Sequence, residues 1–226
     1  MPADMHPDRA RALRVMLITD GRGDTHRIQE VVRAAVEGGV RCVQLREPRL
    51  GARELAILCG LLHPVLTSHG GLLLVNDRAD VAAAGVAHGV HLGRWSLLPG
   101  QVRTFLPPPM VVGVSAHNTL EVDAAVRGGA DYVTLSPVLH TQSHPAAVPL
   151  GPSAAAKIAA ASTVPVVWLG GITKRTLGEI LPFRPFGIAV MRELMDSEDP
   201  RGTAAYLCTM LQRAHEDRPA TGSPHA

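Results

Sequence analysis

Short apolar runs rich in Val, Ile and Leu alternate along the chain with longer, alanine-rich amphipathic stretches. Eight runs have the length and character of buried strands, at 13–19, 40–45, 72–75, 89–92, 111–114, 132–135, 164–169 and 186–190. Helical periodicity predicts helices near 25–37, 51–66, 78–86, 98–105, 118–128, 152–161, 174–181 and 200–214. Nearly continuous apolar strands separated by amphipathic helices are what a parallel sheet covered on both faces requires. Glycines at Gly38-Gly39, Gly128-Gly129 and Gly89 sit where a helix must stop and a strand begin at once. The pattern predicts a single-domain (β/α)₈ TIM barrel over 13–215, with an N-terminal extension at 1–12 and a disordered tail at 216–226. An open doubly wound sheet is the structural alternative, but no strand-order signal favours it.

Composition narrows the function classes. A length of 226 residues suits one α/β barrel, and 46% hydrophobic residues argue for a packed core. Net charge is only +2, with acids and bases interspersed, and aromatic residues are 3% of the chain. Neither a polyanion-binding surface nor a stacking platform follows, so no nucleic-acid partner is expected. No apolar run approaches a membrane span. The charged N-terminus is unlike a secretory signal, and the scattered Cys42, Cys59 and Cys208 have no metal-type spacing. A cytoplasmic protein that acts on a small molecule is the expectation, with homo-oligomerisation left open.

Barrel chemistry sits at the C-terminal ends of strands. Here those positions are polar: Thr19 and Asp20, then Gln44, Arg46 and Glu47, then Asn76, Asp77 and Arg78, then Gly93 and Arg94, then Ser115 and His117. The later strands lead into Ser136, Gly170-Gly171 and Met191-Arg192. Gly170-Gly171-Ile172-Thr173 reads as a turn whose backbone N–H groups wrap a phosphate, or as a plain tight turn. Gln44 and Arg46 share one strand face, and a guanidinium there suits an anion; an Arg–Glu pair closing the mouth is the alternative. Asn76-Asp77 reads as a cation or ring contact, or as a helix cap. His117 is the best acid/base candidate, with Ser115 placed to orient a substrate beside it. His140 and His144 read as loop residues and His88 and His91 as unremarkable.

Seven segments, in order and at barrel spacing, resemble the thiamine-phosphate synthase and TenI family. They are Leu-Ile-Thr-Asp at 17–20, Gln-Leu-Arg-Glu at 44–47, Val-Asn-Asp at 75–77, His-Leu-Gly at 91–93, Gly-Val-Ser-Ala-His at 113–117, Gly-Gly-Ala-Asp-Tyr-Val at 128–133 and Gly-Gly-Ile-Thr at 170–173. The resemblance implies a barrel acting on a small phosphorylated thiazole. Its synthase branch joins a hydroxymethylpyrimidine diphosphate to a thiazole phosphate with Mg²⁺, which Asp77 would bind. Its pattern differs here at three places: Pro48 stands for a lysine, Ser96 for a metal-binding aspartate, and Thr141-Gln142-Ser143-His144 for a Thr-x-Thr-Lys stretch.

The His-Leu-Gly-Arg-Trp-Ser-Leu stretch at 91–97 and Gly-Ile-Ala-Val-Met at 187–191 resemble the TenI-like thiazole tautomerase branch better, and that branch is the expectation, with no metal and no other cofactor. It implies proton transfer by His117 and substrate contacts from Gln44, Arg46, Asn76 and Ser115. Gly170, Gly171, Val190 and Met191 would hold the phosphate. The synthase is one alternative, and a non-catalytic barrel that binds a thiamine precursor or a protein is another. Arg192 departs from the small residue often found after strand eight in this family.

Overall fold

The eight apolar runs become eight parallel strands: β1 (Val15–Ile18), β2 (Cys42–Leu45), β3 (Leu72–Asn76), β4 (Gly89–Leu92), β5 (Val111–Ala116), β6 (Tyr132–Leu135), β7 (Val166–Leu169) and β8 (Gly187–Val190). Each pairs with the next, and β8 returns to β1, so the sheet is a closed barrel without an edge. The structure is a computed structural model and describes residues 5–143 and 145–216. The predicted tail therefore lies outside the described residues, apart from Glu216.

α1 (Pro7–Ala12) precedes β1; between the strands run α2 (Thr25–Glu37), α3 (Ala52–Ser68), α4 (Ala79–Val81), α5 (Pro99–Arg103), α6 (Thr119–Arg127), α7 (Pro152–Ala161) and α8 (Leu177–Ile180); α9 (Arg192–Met195) and α10 (Pro200–Glu216) follow β8. The helix expected over 78–86 is broken. α4 passes into a wide π-type turn at Ala82–Val86, where Gly85 takes φ +78°. The N-terminal extension is also more than an extension, since α1 buries Ala12 and, with Leu13, joins the apolar floor inside the barrel. The short α9, directly after β8, was not expected from the pattern.

Alternation along the strands sorts the side chains into two shells. Leu17, Val43, Leu73 and Trp168 face outward and pack under Ile28, Val32, Leu58, Leu62 and Leu207 of the helices. Met16, Cys42, Leu72, Val111, Tyr132 and Val167 face inward and fill the lower barrel. Moving two residues along each strand keeps the same face. Cys42 thus leads to Gln44, Leu74 to Asn76, Gly89 to His91, Gly113 to Ser115 and Tyr132 to Thr134. A polar layer is stacked on an apolar one, and it opens at the C-terminal ends of the strands.

An ion pair fastens the opposite end. Arg103 bonds Asp131, and its Nε and Nη1 reach the carbonyls of Gly129 and Met110 at 3.0 and 2.6 Å. The same Asp131 oxygen accepts the Val112 N–H at 2.7 Å. Both side chains are mostly buried, so removing one strands the other. Asp131→Ala is expected to lower unfolding stability by about 3 kcal/mol while leaving the distant site unchanged, as a denaturant titration of the variant would read.

Candidate functional site at the barrel mouth

The turn after β3 carries strain that marks the site. Asp77 adopts φ +64°, a left-handed conformation unusual for a residue with a side chain. It is held there by its own N–H, which donates to the His91 carbonyl at 2.8 Å, and by the Ala79 N–H, which donates to its carbonyl at 2.9 Å. The helix-cap reading does not hold, because the Asp77 carboxylate has no hydrogen bond among the described residues. It faces a cavity of about 240 Å³ lined also by Arg46, Glu47, Pro48, Asn76 and Arg78.

Arg46 and Glu47 are not partners. Glu47 is buried and accepts the N–H groups of Gly21 and Gly23 at 3.2 and 2.8 Å, which folds the β1–α2 loop inward. Arg46 has its backbone N–H fixed by Thr19 Oγ1, at 2.9 Å, and its exposed side chain at the cavity has no acidic partner among the described residues. The other arginine in the cavity, Arg78, is held in both arms by Asp80, at 2.8 and 2.5 Å. Arg46 is thus the cation left for an incoming anion.

Gln44 and Asn76 meet inside the mouth. Gln44 Nε2 donates to Asn76 Oδ1 at 2.8 Å; among the described residues Gln44 Oε1 is buried without a partner and the Asn76 amide N–H groups are unspent. The pair therefore offers one acceptor and one donor side by side. An isolated buried amide oxygen is costly, so its retention points to a ligand group that satisfies it.

A connected network lies one strand further on. The imidazole of His91 touches Tyr132 Oη through Nδ1 at 2.8 Å, and Ser115 Oγ through Nε2 at 2.9 Å, with Thr134 Oγ1 at 3.3 Å. Burial pushes the His91 pKa down to about 3, so the ring is neutral. Burial also raises the Tyr132 pKa, which keeps the phenol protonated. Gly113 makes the room: a Cβ there would lie 2.2 Å from Tyr132 Cζ. Neither His91 nor Tyr132 is singled out by the sequence pattern; alternation from Gly89 along β4 turns His91 inward, and the register that pairs Tyr132 with Gly113 turns Tyr132 inward.

His117 stands at the rim, where its N–H donates to Glu121 Oε2 at 2.8 Å. Its Nδ1 lies 2.7 Å from the Ser136 carbonyl, an acceptor only, so Nδ1 carries a proton. On the far side, Gly170 and Gly171 take φ +102° and +69°. The β6–α7 loop packs on them so closely that a Cβ at Gly171 would be 2.3 Å from the His140 carbonyl oxygen. The Gly171 N–H finds no acceptor among the described residues, as a phosphate-wrapping turn requires. Val190 ends β8 and Met191 begins the turn into α9 beside it. Arg192 Nη1 donates to Gln142 Oε1 at 2.7 Å and ties that same loop to α9. Trp168 is core, whereas Trp95 is 89% exposed with Arg94 over its ring. His144 lies outside the described residues.

A family model described as thiamine monophosphate synthase matches residues 15–194, which span the barrel from β1 into α9. The chain belongs to the thiamine monophosphate synthase family. Within it, a thiamine-phosphate synthase of Albidiferax ferrireducens is 38% identical over 86% of this chain and 90% of its own. One from Methanoculleus marisnigri is 37% identical over 84% and 89%. Among solved structures, a thiamine phosphate pyrophosphorylase from Pyrococcus furiosus superposes with a TM-score of 0.81 at 29% identity, covering 91% of this chain and 98% of that one.

These relatives overturn the tautomerase reading, which rested on lost charges and on two TenI-like stretches. Synthase-named proteins match the chain across the barrel, from β1 into α9. Arg46 and Asp77 still share one cavity. Among the described residues no cluster of three or more His, Cys, Asp or Glu could cage a metal. Mg²⁺ does not need one, because it keeps waters and binds through one or two carboxylates together with substrate phosphates. Asp77, unbonded and facing the cavity, fits that mode. Ser96 does not contribute, since its hydroxyl is taken by the Gly93 N–H at 2.7 Å.

Proposed function

We propose that this barrel joins a hydroxymethylpyrimidine diphosphate to a thiazole phosphate, giving thiamine phosphate and diphosphate. The observation that carries the reading is the similarity to thiamine-phosphate synthases over nearly their whole length. The mouth supports it residue by residue. The side-by-side acceptor of Gln44 and donor of Asn76 match an aminopyrimidine edge, which offers an amino donor next to a ring-nitrogen acceptor. Arg46 suits the diphosphate that departs, and the Gly170–Gly171 turn with Val190 and Met191 suits the thiazole phosphate.

Asp77 would hold Mg²⁺, which supplies charge neutralisation on the diphosphate when bound. The protein's own part is to orient the two rings and exclude water from the carbon between them. In the bond-forming step the thiazole nitrogen gives its lone pair to the pyrimidine methylene carbon. The carbon–oxygen bond breaks, and its electron pair leaves with the diphosphate. No proton changes hands, so His117 has no base role in this reaction.

The test is a coupling assay on purified protein with pyrimidine diphosphate, thiazole phosphate and Mg²⁺, read as thiamine phosphate formed. Turnover is expected, with His117→Ala retaining it within about threefold and Arg46→Ala losing about a hundredfold, in the range for an unpaired charge–charge contact. No thiamine phosphate from the wild type would refute the proposal. Abolition by His117→Ala would refute the proton-free step.

A further inference from the structure

We infer that Tyr132, acting through His91, fixes the Ser115 hydroxyl as a hydrogen-bond donor into the barrel mouth; Tyr132 and His91 are positioning residues. The inference deepens the proposed function, because Ser115 lies near the C-terminal end of β5, at the mouth where the two substrates would meet; the proton arrangement follows from the chain alone.

The Tyr132 hydroxyl is fully buried, and His91 Nδ1 at 2.8 Å is its one hydrogen-bond partner among the described residues. A buried phenol must donate somewhere, so its proton goes to Nδ1. A neutral imidazole carries a single N–H, which then has to sit on Nε2. That N–H points at Ser115 Oγ, 2.9 Å away, with the more distant Thr134 Oγ1 as a second acceptor at 3.3 Å. Ser115 therefore spends a lone pair on His91 and keeps its own hydrogen. Ser115 is half-buried at the end of β5, and no described group accepts that hydrogen, so it is available to an acceptor at the mouth.

The opposite tautomer would undo this. With the proton on Nδ1, Nε2 becomes an acceptor and draws the serine hydrogen inward, leaving an oxygen lone pair to face an anionic or lone-pair-bearing substrate. Replacing one donor by one acceptor at that point converts attraction into repulsion. The lower barrel is shaped for the relay, because Gly113 is the residue that lets the Tyr132 ring reach under His91.

Two measurements test it. Long-range proton–nitrogen correlation on ¹⁵N-histidine-labelled protein, with the His91 signals assigned by their absence in His91→Gln, is expected to show the proton on Nε2. It is also expected to show loss of that single tautomer in Tyr132→Phe. A proton on Nδ1 in the wild type overturns the inference. Kinetically, Tyr132→Phe and Ser115→Ala are each expected to lower kcat/KM for coupling about tenfold to a hundredfold. The double variant should be no worse than Ser115→Ala alone, whereas a merely structural tyrosine would give losses that multiply. Multiplying losses in variants with native circular dichroism would overturn the relay. The tautomer is read without substrate, so a wild type inactive in coupling would refute the proposed function and not this inference.

Discussion

Gly89→Ala is expected to lower the unfolding stability of the barrel by about 3 kcal/mol or more. Gly89 opens β4 with its face toward the barrel interior, paired with Val111 of β5. A Cβ built there lies 2.0 Å from the Val111 carbonyl oxygen and 2.7 and 2.8 Å from that residue's carbonyl carbon and nitrogen. The obstacle is backbone on every side, so no rotamer change relieves it. Relief requires β4 to draw away from β5, which breaks the Val111 N–H bond to the His88 carbonyl, at 2.9 Å, and opens the closed sheet. Overpacking of this kind costs about 3 kcal/mol or more, against a total stability of about 5–15 kcal/mol. Gly60→Ala is the control, since it sits within α3 with nothing within 4 Å of its Cβ. That change is expected to stabilise by up to about 1 kcal/mol. Urea titration of both variants reads the contrast, and an undiminished midpoint in Gly89→Ala would contradict the packing described for β4.

Acid is the second large lever. Burial drives the His91 pKa down to about 3 and that of His88 to about 4, the latter also disfavoured by His63 stacked 4.3 Å away and by Arg9. The contacts of each ring agree with that cause. His91 Nδ1 is occupied by Tyr132, and His88 Nδ1 accepts the Leu73 N–H at 3.0 Å, so neither accepts a proton without losing a bond. In the unfolded chain both imidazoles protonate below about pH 6.5. Unfolding therefore takes up protons in acid, and stability falls as pH drops. The contribution is complete above about pH 6.5 and is lost progressively toward pH 4 and then 3. At pH 4, His91 alone accounts for about 3 kcal/mol. Urea midpoints measured from pH 7 to 4.5, above the main carboxylate range, should decline steadily. A flat profile over that window would show that the two rings titrate normally in the folded state.

Much of this molecule was legible in advance because its signals are local. Val40–Leu45 or Tyr132–Leu135 announces a buried strand by side-chain type alone, and a pair such as Gly38-Gly39 announces the turn before the next. Arg46, Asn76, Ser115 and the Gly170–Gly171 turn were legible as mouth residues because a barrel strand fixes where its end must be. What escaped depends on distant pieces meeting. The left-handed turn at Asp77 is imposed by the His91 carbonyl across a strand boundary. Glu47 is consumed by glycines of the preceding loop, and His91 acquires its role from Tyr132, 41 residues later. The functional misreading has the same origin. Pro48 and Ser96 advertise missing charges in the sequence, but only the cavity shows that Arg46 and Asp77 still converge.

The ring of strands also imposes an order on synthesis. β1 is made first, yet the Val15–Leu17 side that β2 does not cover is paired only by Ile188–Val190 of β8. While a ribosome is still extending the chain, that side of β1 offers unpaired backbone groups to any extended segment nearby. Closure waits for nearly the last strand to emerge, so a chain stalled or truncated before β8 is left with two open edges, on β1 and on its last strand. Protein quality control would meet such fragments as sticky open sheets, while the finished molecule presents no edge at all.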